Sequence, residues 1–153
     1  MAIVLGMNCI IGYTDGGFPS EVSSFTTLDD VKDVTLNLET GTSDITTRGN
    51  DGFRASAPTL KDGSVDFSIV WDTGDAGFIA IKNAFFDNTD ICLAIFDGAI
   101  ATGSGLAGVY RIHNFTRSEP LEEAVTVSVT ARLTLAPGGL APTWYDSGYS
   151  IPT

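Results

Sequence analysis

The sequence predicts a mainly β, α+β domain: a β-sandwich or partly closed barrel with one helix packed on it. Three features lead there. Apolar residues recur at every second position through several segments, the period of half-buried strands. A single stretch, Asp75–Asn88, switches to helical spacing. Asp-Gly pairs at Asp15-Gly16, Asp51-Gly52, Asp62-Gly63 and Asp97-Gly98 punctuate the runs as turns. At 153 residues the chain fits one domain, expected over 1–136 and followed by a Pro/Gly/aromatic extension over 137–153.

The elements follow in order. Met1–Tyr13 is an apolar run that reads as a strand. Val34, Leu36 and Leu38 then alternate with Thr35, Asn37 and Glu39. Thr40–Asp62 shows no period beyond a brief strand at Ile45–Thr47, so a long loop between the second and third strands is expected. Loops of that length in compact domains are usually functional, and this one holds Arg48, Arg54 and Lys61, three of the eight basic residues. Val65, Phe67, Ile69 and Trp71 alternate with Ser64, Asp66 and Ser68. In the helix, Phe78, Ile81 and Phe85 form a stripe that Ile79 and Phe86 should widen, with Thr73 or Asp75 as N-cap and Lys82 outward. Asp90–Asp97 is a short apolar strand, Gly103-Ser104-Gly105 a flexible hairpin tip, and Val109–Arg117 a longer mixed strand. Val125, Val127, Val129, Ala131, Leu133 and Leu135 close the domain, alternating with Thr126, Ser128, Thr130 and Arg132. The tail carries Trp144, Tyr145 and Tyr149, more aromatics than a linker needs, so it either docks on a neighbour or is disordered.

Composition excludes several functions. Hydrophobic residues at 43% argue against disorder. Eight Lys plus Arg against 19 Asp plus Glu, a net charge of −11, disfavour tight nucleic-acid binding, which depends on cations neutralising phosphates. No apolar run reaches the ~20 residues of a membrane span, and the absence of Lys or Arg before Lys32 is unlike a signal peptide. Cys9 and Cys92 lack metal or redox spacing and are expected to be buried free thiols in a reducing compartment, with a single bridge as the alternative. Enzyme motifs are missing: His113 is the one histidine and no G-x-S-x-G occurs. Asp29-Asp30 and Glu119, Glu122 and Glu123 read as solvated turn carboxylates, while Asp72, Asp75, Asp87 and Asp90 offer at most weak calcium binding. No catalytic residue, cofactor or metal is expected.

Charged residues are only 18% of the chain, against ~25% in an ordinary domain, and mean hydropathy is +0.17. Lysine occurs only at 32, 61 and 82, so the strands lack the charges that protect open sheet edges. The inference is a homo-oligomer built partly by sheet continuation between copies. The polar strand faces, mostly Thr, Ser and Asn, read either as solvated surface or as a channel wall that neither grips phosphate nor stacks bases.

The segments Asp44-Ile-Thr-Thr-Arg-Gly-Asn-Asp-Gly-Phe-Arg54 and Thr59-Leu-Lys-Asp-Gly-Ser-Val-Asp-Phe67 resemble the bacteriophage tail tube (major tail) protein family. The closing run from Asn114 to Val129 is similar to that family's final hairpin. The resemblance, over residues 3–135, implies a tail-tube fold related to the type VI secretion tube protein. It implies six copies per ring, inner strands joined into a continuous barrel, and rings stacked into a virion tail tube. That tube would assemble in the host cytoplasm around a tape-measure protein, join tail-tip and terminator proteins, and later conduct DNA. Carried onto this chain, Gly41–Asp62 matches the family's loop that reaches into neighbouring subunits or rings, and Arg48, Phe53, Arg54 and Lys61 become subunit-interface residues. The lumen-facing candidates are Thr35, Asn37, Glu39, Ser64, Asp66, Ser68, Thr126, Ser128, Thr130 and Arg132. The competing reading is a β-sandwich module that binds carbohydrate or a cell surface through Trp144, Tyr145 and Tyr149.

Overall fold

The computed structural model describes residues 5–6, 9–15, 18–19, 24–29, 31–134 and 142–149. Among them run β1 (Ile10–Asp15), β2 (Thr26–Thr27), β3 (Val31–Asp44), β4 (Ser56–Val70), α1 (Ala76–Asp87), β5 (Ile91–Phe96), β6 (Gly105–Ser118), β7 (Thr126–Leu133) and β8 (Thr143–Tyr145). One antiparallel sheet holds all the strands in the order β2-β1-β5-β6-β7-β4-β3, with β8 paired to the start of β6. The ladder runs unbroken from β2 to β3 as one open sheet, and strands from both its ends contribute to one core, so the sheet curls rather than lies flat.

The curl lets one core draw on distant strands: Ile11 and Tyr13, Val65, Phe67 and Ile69, Ile91 and Leu93, Tyr110 and Ile112, and Val127, Val129 and Ala131. Helix α1 covers that face with Phe78, Ile81 and Ala84. Asp75 starts the helix, its carboxylate accepting the Phe78 N–H at 3.0 Å, and Asn88 ends it at φ 54°. Ile79 and Phe86 do not widen the buried stripe; Phe86 is 67% exposed. A helix lying on one sheet buries one sector of its circumference, and Phe86 instead rests edge-on against Phe85 at the helix end.

Other expectations change as well. The stretch Thr40–Asp62 is mostly ladder, not loop: Thr40 pairs Lys61, Thr42 pairs Pro58 and Asp44 pairs Ser56. Only Ile45–Ala55 remains as a tip. Asp62-Gly63 is no turn but lies mid-strand in β4, where a Cβ on Gly63 would come within 2.5 Å of the Leu133 side chain. The Gly103–Gly105 corner is packed rather than flexible: Ser104 N–H donates to Asp97 Oδ1 at 2.9 Å, and a Cβ on Gly105 would strike the Ile95 carbonyl. Residues 142–149 dock on their own sheet. Tyr145 and Tyr149 join Ala94, Phe96, Ile100 and Ala107 in a second core, and the Tyr149 hydroxyl donates to Pro19 O at 2.7 Å. Tyr145 and Tyr149 are therefore unavailable as a sugar-binding platform; only Trp144 stays open, its Nε1–H donating to Asp146. The rest of the extension, like Leu135, Gly16 and the start of the first apolar run, lies outside the described residues.

The two thiols differ. Cys92 is buried beside Val109, and burial pushes it up to about 12. Cys9, expected to be buried, is exposed.

Candidate assembly surfaces

The ladder registers bring all ten lumen candidates onto one face. Asn37, Ser64, Arg132 and Arg111 form one cross-strand row through β3, β4, β7 and β6. Thr35, Asp66, Thr130 and Asn114 form the next, followed by Ser68, Ser128 and Thr116, then Val70, Thr126 and Ser118. Glu39 lies one row beyond Asn37, opposite Asp62. Asp66 ties the panel together: Asn37 Nδ2 donates to it at 3.0 Å and Thr130 Oγ1 at 2.8 Å. Such bonds across three strands fix the polar side chains against the wall. At one margin Arg111 faces Arg132 across the β6–β7 ladder, and Asp90 holds Arg111 at 2.7 Å.

The contribution of β6 to this panel escapes sequence reading. Its alternation is interrupted by His113, an extra residue between Ile112, which pairs Ala131, and Asn114, which pairs Thr130. That bulge shifts the parity of everything after it. The same face is closed elsewhere: at the β5–β6 end, Cys92 and Val109 lie under Phe18 and Phe25. The face is thus bare where it is polar and covered where it is apolar.

Two different strand edges flank the panel. β3 ends the sheet order, so its outer edge has no strand partner among the described residues. On the other flank, β5 pairs β6 only as far as Tyr110, leaving His113–Ser118 without a strand on that side among the described residues. Neither edge carries the prolines or dense lysines that blunt edges in monomers.

The third surface is an arm. From Gly63 back to Ser56, β4 pairs with β3 alone, a ribbon roughly 25 Å long at ~3.3 Å per residue. Its tip is built, not loose. The Thr46 hydroxyl both donates to the Ala55 carbonyl at 3.2 Å and accepts the Ala55 N–H at 2.9 Å. A short 3-10 turn at Arg48–Asn50 leads into Asp51 and Gly52, both left-handed, and the Asp-Gly signal for a turn holds here. Asp44 accepts the Thr46 N–H at 2.9 Å, and its hydrogen bonds from Thr46 lower its pKa. This scaffold presents Phe53 at 77% exposure, with Arg48 and Arg54 also exposed. Lys61 is not with them; it sits back in the ribbon opposite Thr40.

The acidic residues have local tasks. Asp72 accepts the Gly74 N–H, Asp75 caps the helix and Asp90 holds Arg111, so this set does not converge. Glu119, Glu122 and Glu123 are exposed in the β6–β7 connection, with Glu119 bonded to Arg117.

A family model described as phage tail tube protein matches residues 6–138. The chain belongs to that family. It is a structural subunit of a tail tube and not an enzyme. No curated protein sequence matches it. Among solved structures, the tail of an empty gene transfer agent particle with C6 symmetry superposes with a TM-score of 0.69 at 15% identity, over 92% of this chain and 98% of that one. The SPP1 tail tube gives 0.69 at 16% identity, over 97% and 81%. A chain of the anti-feeding prophage baseplate gives 0.62 at 4% identity, over 95% and 97%. At these identities the likeness is one of fold, and it extends to a particle tail, a phage tube and a baseplate.

Proposed function

We propose that six copies of this tail tube protein close into a ring, that rings stack into a tube, and that the polar panel lines a lumen conducting DNA. The observation that carries this reading is the panel with an unpaired edge of a different strand on each side. Joining the β3 edge of one copy to the β6 edge of the next is a head-to-tail contact, and such contacts make rings when the rotation closes. The C6 symmetry of the gene transfer agent tail supports six as the number.

The dimensions are compatible with DNA. Six four-stranded panels make about 24 strands; at ~4.8 Å spacing and a tilt of ~40° the barrel is roughly 48 Å across, backbone to backbone. Side chains take ~5 Å from each wall, half the ~10 Å spacing of packed sheets, which leaves ample room for a duplex. Hydroxyl and amide side chains with few cations offer phosphates no strong hold, and the panel has no aromatic on which a base could stack. The same lumen would enclose a tape-measure protein while the tube grows, with tail-tip and terminator proteins at its ends and assembly in the host cytoplasm. Arg48, Phe53 and Arg54 on the arm tip, with Lys61 behind them, act as interface residues between copies.

Electron cryomicroscopy of the assembled protein tests this. The expected map has six-fold rings, β3 of one copy beside β6 of the next, and Asp66 and Ser128 facing the bore. Helix α1 facing the bore would overturn it.

A further inference from the structure

We propose that Arg111 and Arg132 form an anion-binding band on the polar panel, which recognises the phosphodiester backbone of DNA inside the tube. This rests on the tube reading above and gives a bore of hydroxyls, amides and carboxylates one level of positive grip. The two arginines are direct partners across the β6–β7 ladder, in the row that also holds Asn37 and Ser64. Like charges placed opposite each other in a sheet repel. Asp90 relieves only one of them, its carboxylate accepting from Arg111 Nε at 2.7 Å. Arg132 is exposed and makes no ion pair among the described residues. The pair is thus left with one uncompensated positive charge, which an anion lying between the two guanidinium groups would neutralise.

The surroundings select a phosphate. A guanidinium is a planar fork of donors that matches phosphate oxygens two at a time. Arg111 spends its Nε on Asp90, and its terminal amino groups remain for a ligand. On the other side, Ser64 stands opposite Arg132 across the β4–β7 ladder and adds a hydroxyl, a common phosphate donor. The next row, Thr35, Asp66, Thr130 and Asn114, offers no apolar side chain, so a protein segment would find little to bury there. The hold is weak by construction. Asp66 is engaged by Asn37 and Thr130, but it stays ionised nearby, and Glu39 and Asp62 lie one row further on. Rows run across the strands and hence around the bore, so each ring contributes one band. A duplex carries one charge per ~1.7 Å and always presents some phosphate to it. Repeated weak contacts of this kind steady DNA without stopping it.

The test uses assembled tubes and a fluorescent 20-base-pair linear duplex, with the DNA that pellets with the tubes measured across a sodium chloride series. Parent tubes should retain the duplex at about 0.05 M salt and release it as salt rises. Arg132→Gln should weaken retention about tenfold and reduce the slope of log affinity against log salt by about one per arginine in contact. Arg132→Lys should keep part of the retention, and Asp90→Asn, which frees Arg111, should increase it. Lys82→Gln, on α1, should change nothing. Closed circular DNA, which cannot thread the bore, should not compete. Arg132→Gln tubes of parental length that hold the duplex as well as the parent does overturn the band and leave the tube intact. Displacement of the duplex by polyglutamate of equal charge, at equal concentration, would assign the band to carboxylates and overturn the phosphate. Closed circles that compete as well as the linear duplex would place the panel outside, and would overturn the bore as well as the band.

Discussion

Cys92 is buried with Val109, and the rings of Phe18 and Phe25 pack on them, so a thiolate there would lose its hydration. The thiol rises from 9.0 to about 12, so at pH 8 it is a poor nucleophile, whereas Cys9 is open to solvent. Iodoacetamide at that pH should modify Cys9 alone in the folded protein, and both cysteines after denaturation; two fast equivalents without denaturant would contradict the burial. The same shift has a consequence for stability. The unfolded chain releases this proton near pH 9 while the folded one keeps it to about 12, so across that window the unfolded state binds fewer protons and stability falls as pH rises. Tyr110 and Tyr149 are raised by burial too and act in the same direction. The melting temperature should therefore hold up to about pH 8.5 and decline above it, less steeply in Cys92→Ala. Asp75 offers an independent check: Asp75→Ala leaves the Phe78 N–H without its acceptor and should cost about 1 kcal/mol, a loss of roughly 2–4 °C in melting temperature.

An element declares itself in sequence when one of its faces touches the core. Val65–Trp71, Val125–Leu133 and the Asp75-capped helix do so, and their alternation and helical spacing are legible as plain periods. The β3–β4 ribbon beyond Gly63 has both faces bare, so selection for a core imposes no period on it and it reads as a loop. Bulged β6 loses its parity at His113, and Tyr145 and Tyr149 find their partners only through tertiary contacts. Much of the polar panel was legible because Thr, Ser and Asn occupy the off-beat positions of strands with a readable apolar beat. The two open edges were legible only as a shortage of lysine, since which strand ends the sheet is a matter of topology. A ribbon of two strands is marginal in water by itself. In unassembled protein, the amides of Ser56–Gly63 should therefore exchange with solvent deuterium far faster than those of Val65–Ile69. In tubes the two segments should be protected alike. Equal protection before assembly would mean that the ribbon needs no neighbour.

At the scale of the whole molecule, charge and burial oppose each other. Each copy carries −11, so a six-membered ring gathers 66 negative charges before the next ring approaches. Against this stand Phe53, Leu38 and Leu60, the last 87% exposed in a single copy, together with the β3 edge and the β6 edge at His113–Ser118, which have no strand partner among the described residues. Apolar burial and backbone pairing depend weakly on salt, whereas repulsion between exposed charges is screened beyond ~10 Å at 0.1 M and ~3 Å at 1 M. Tubes should accordingly lengthen as sodium chloride rises from about 0.01 M to physiological strength, and then change little. The tip arginines work against that trend, because their attraction to carboxylates is screened as well. Arg54→Glu makes each copy more negative by two, and its assembly should need more salt than the parent's. Turbidity and electron micrographs across the same salt series measure both effects. Parent tubes that shorten steadily with added salt would show that the few contacts of the basic tip outweigh the repulsion of the whole ring, and would move the main cohesion from the sheet edges to the arm.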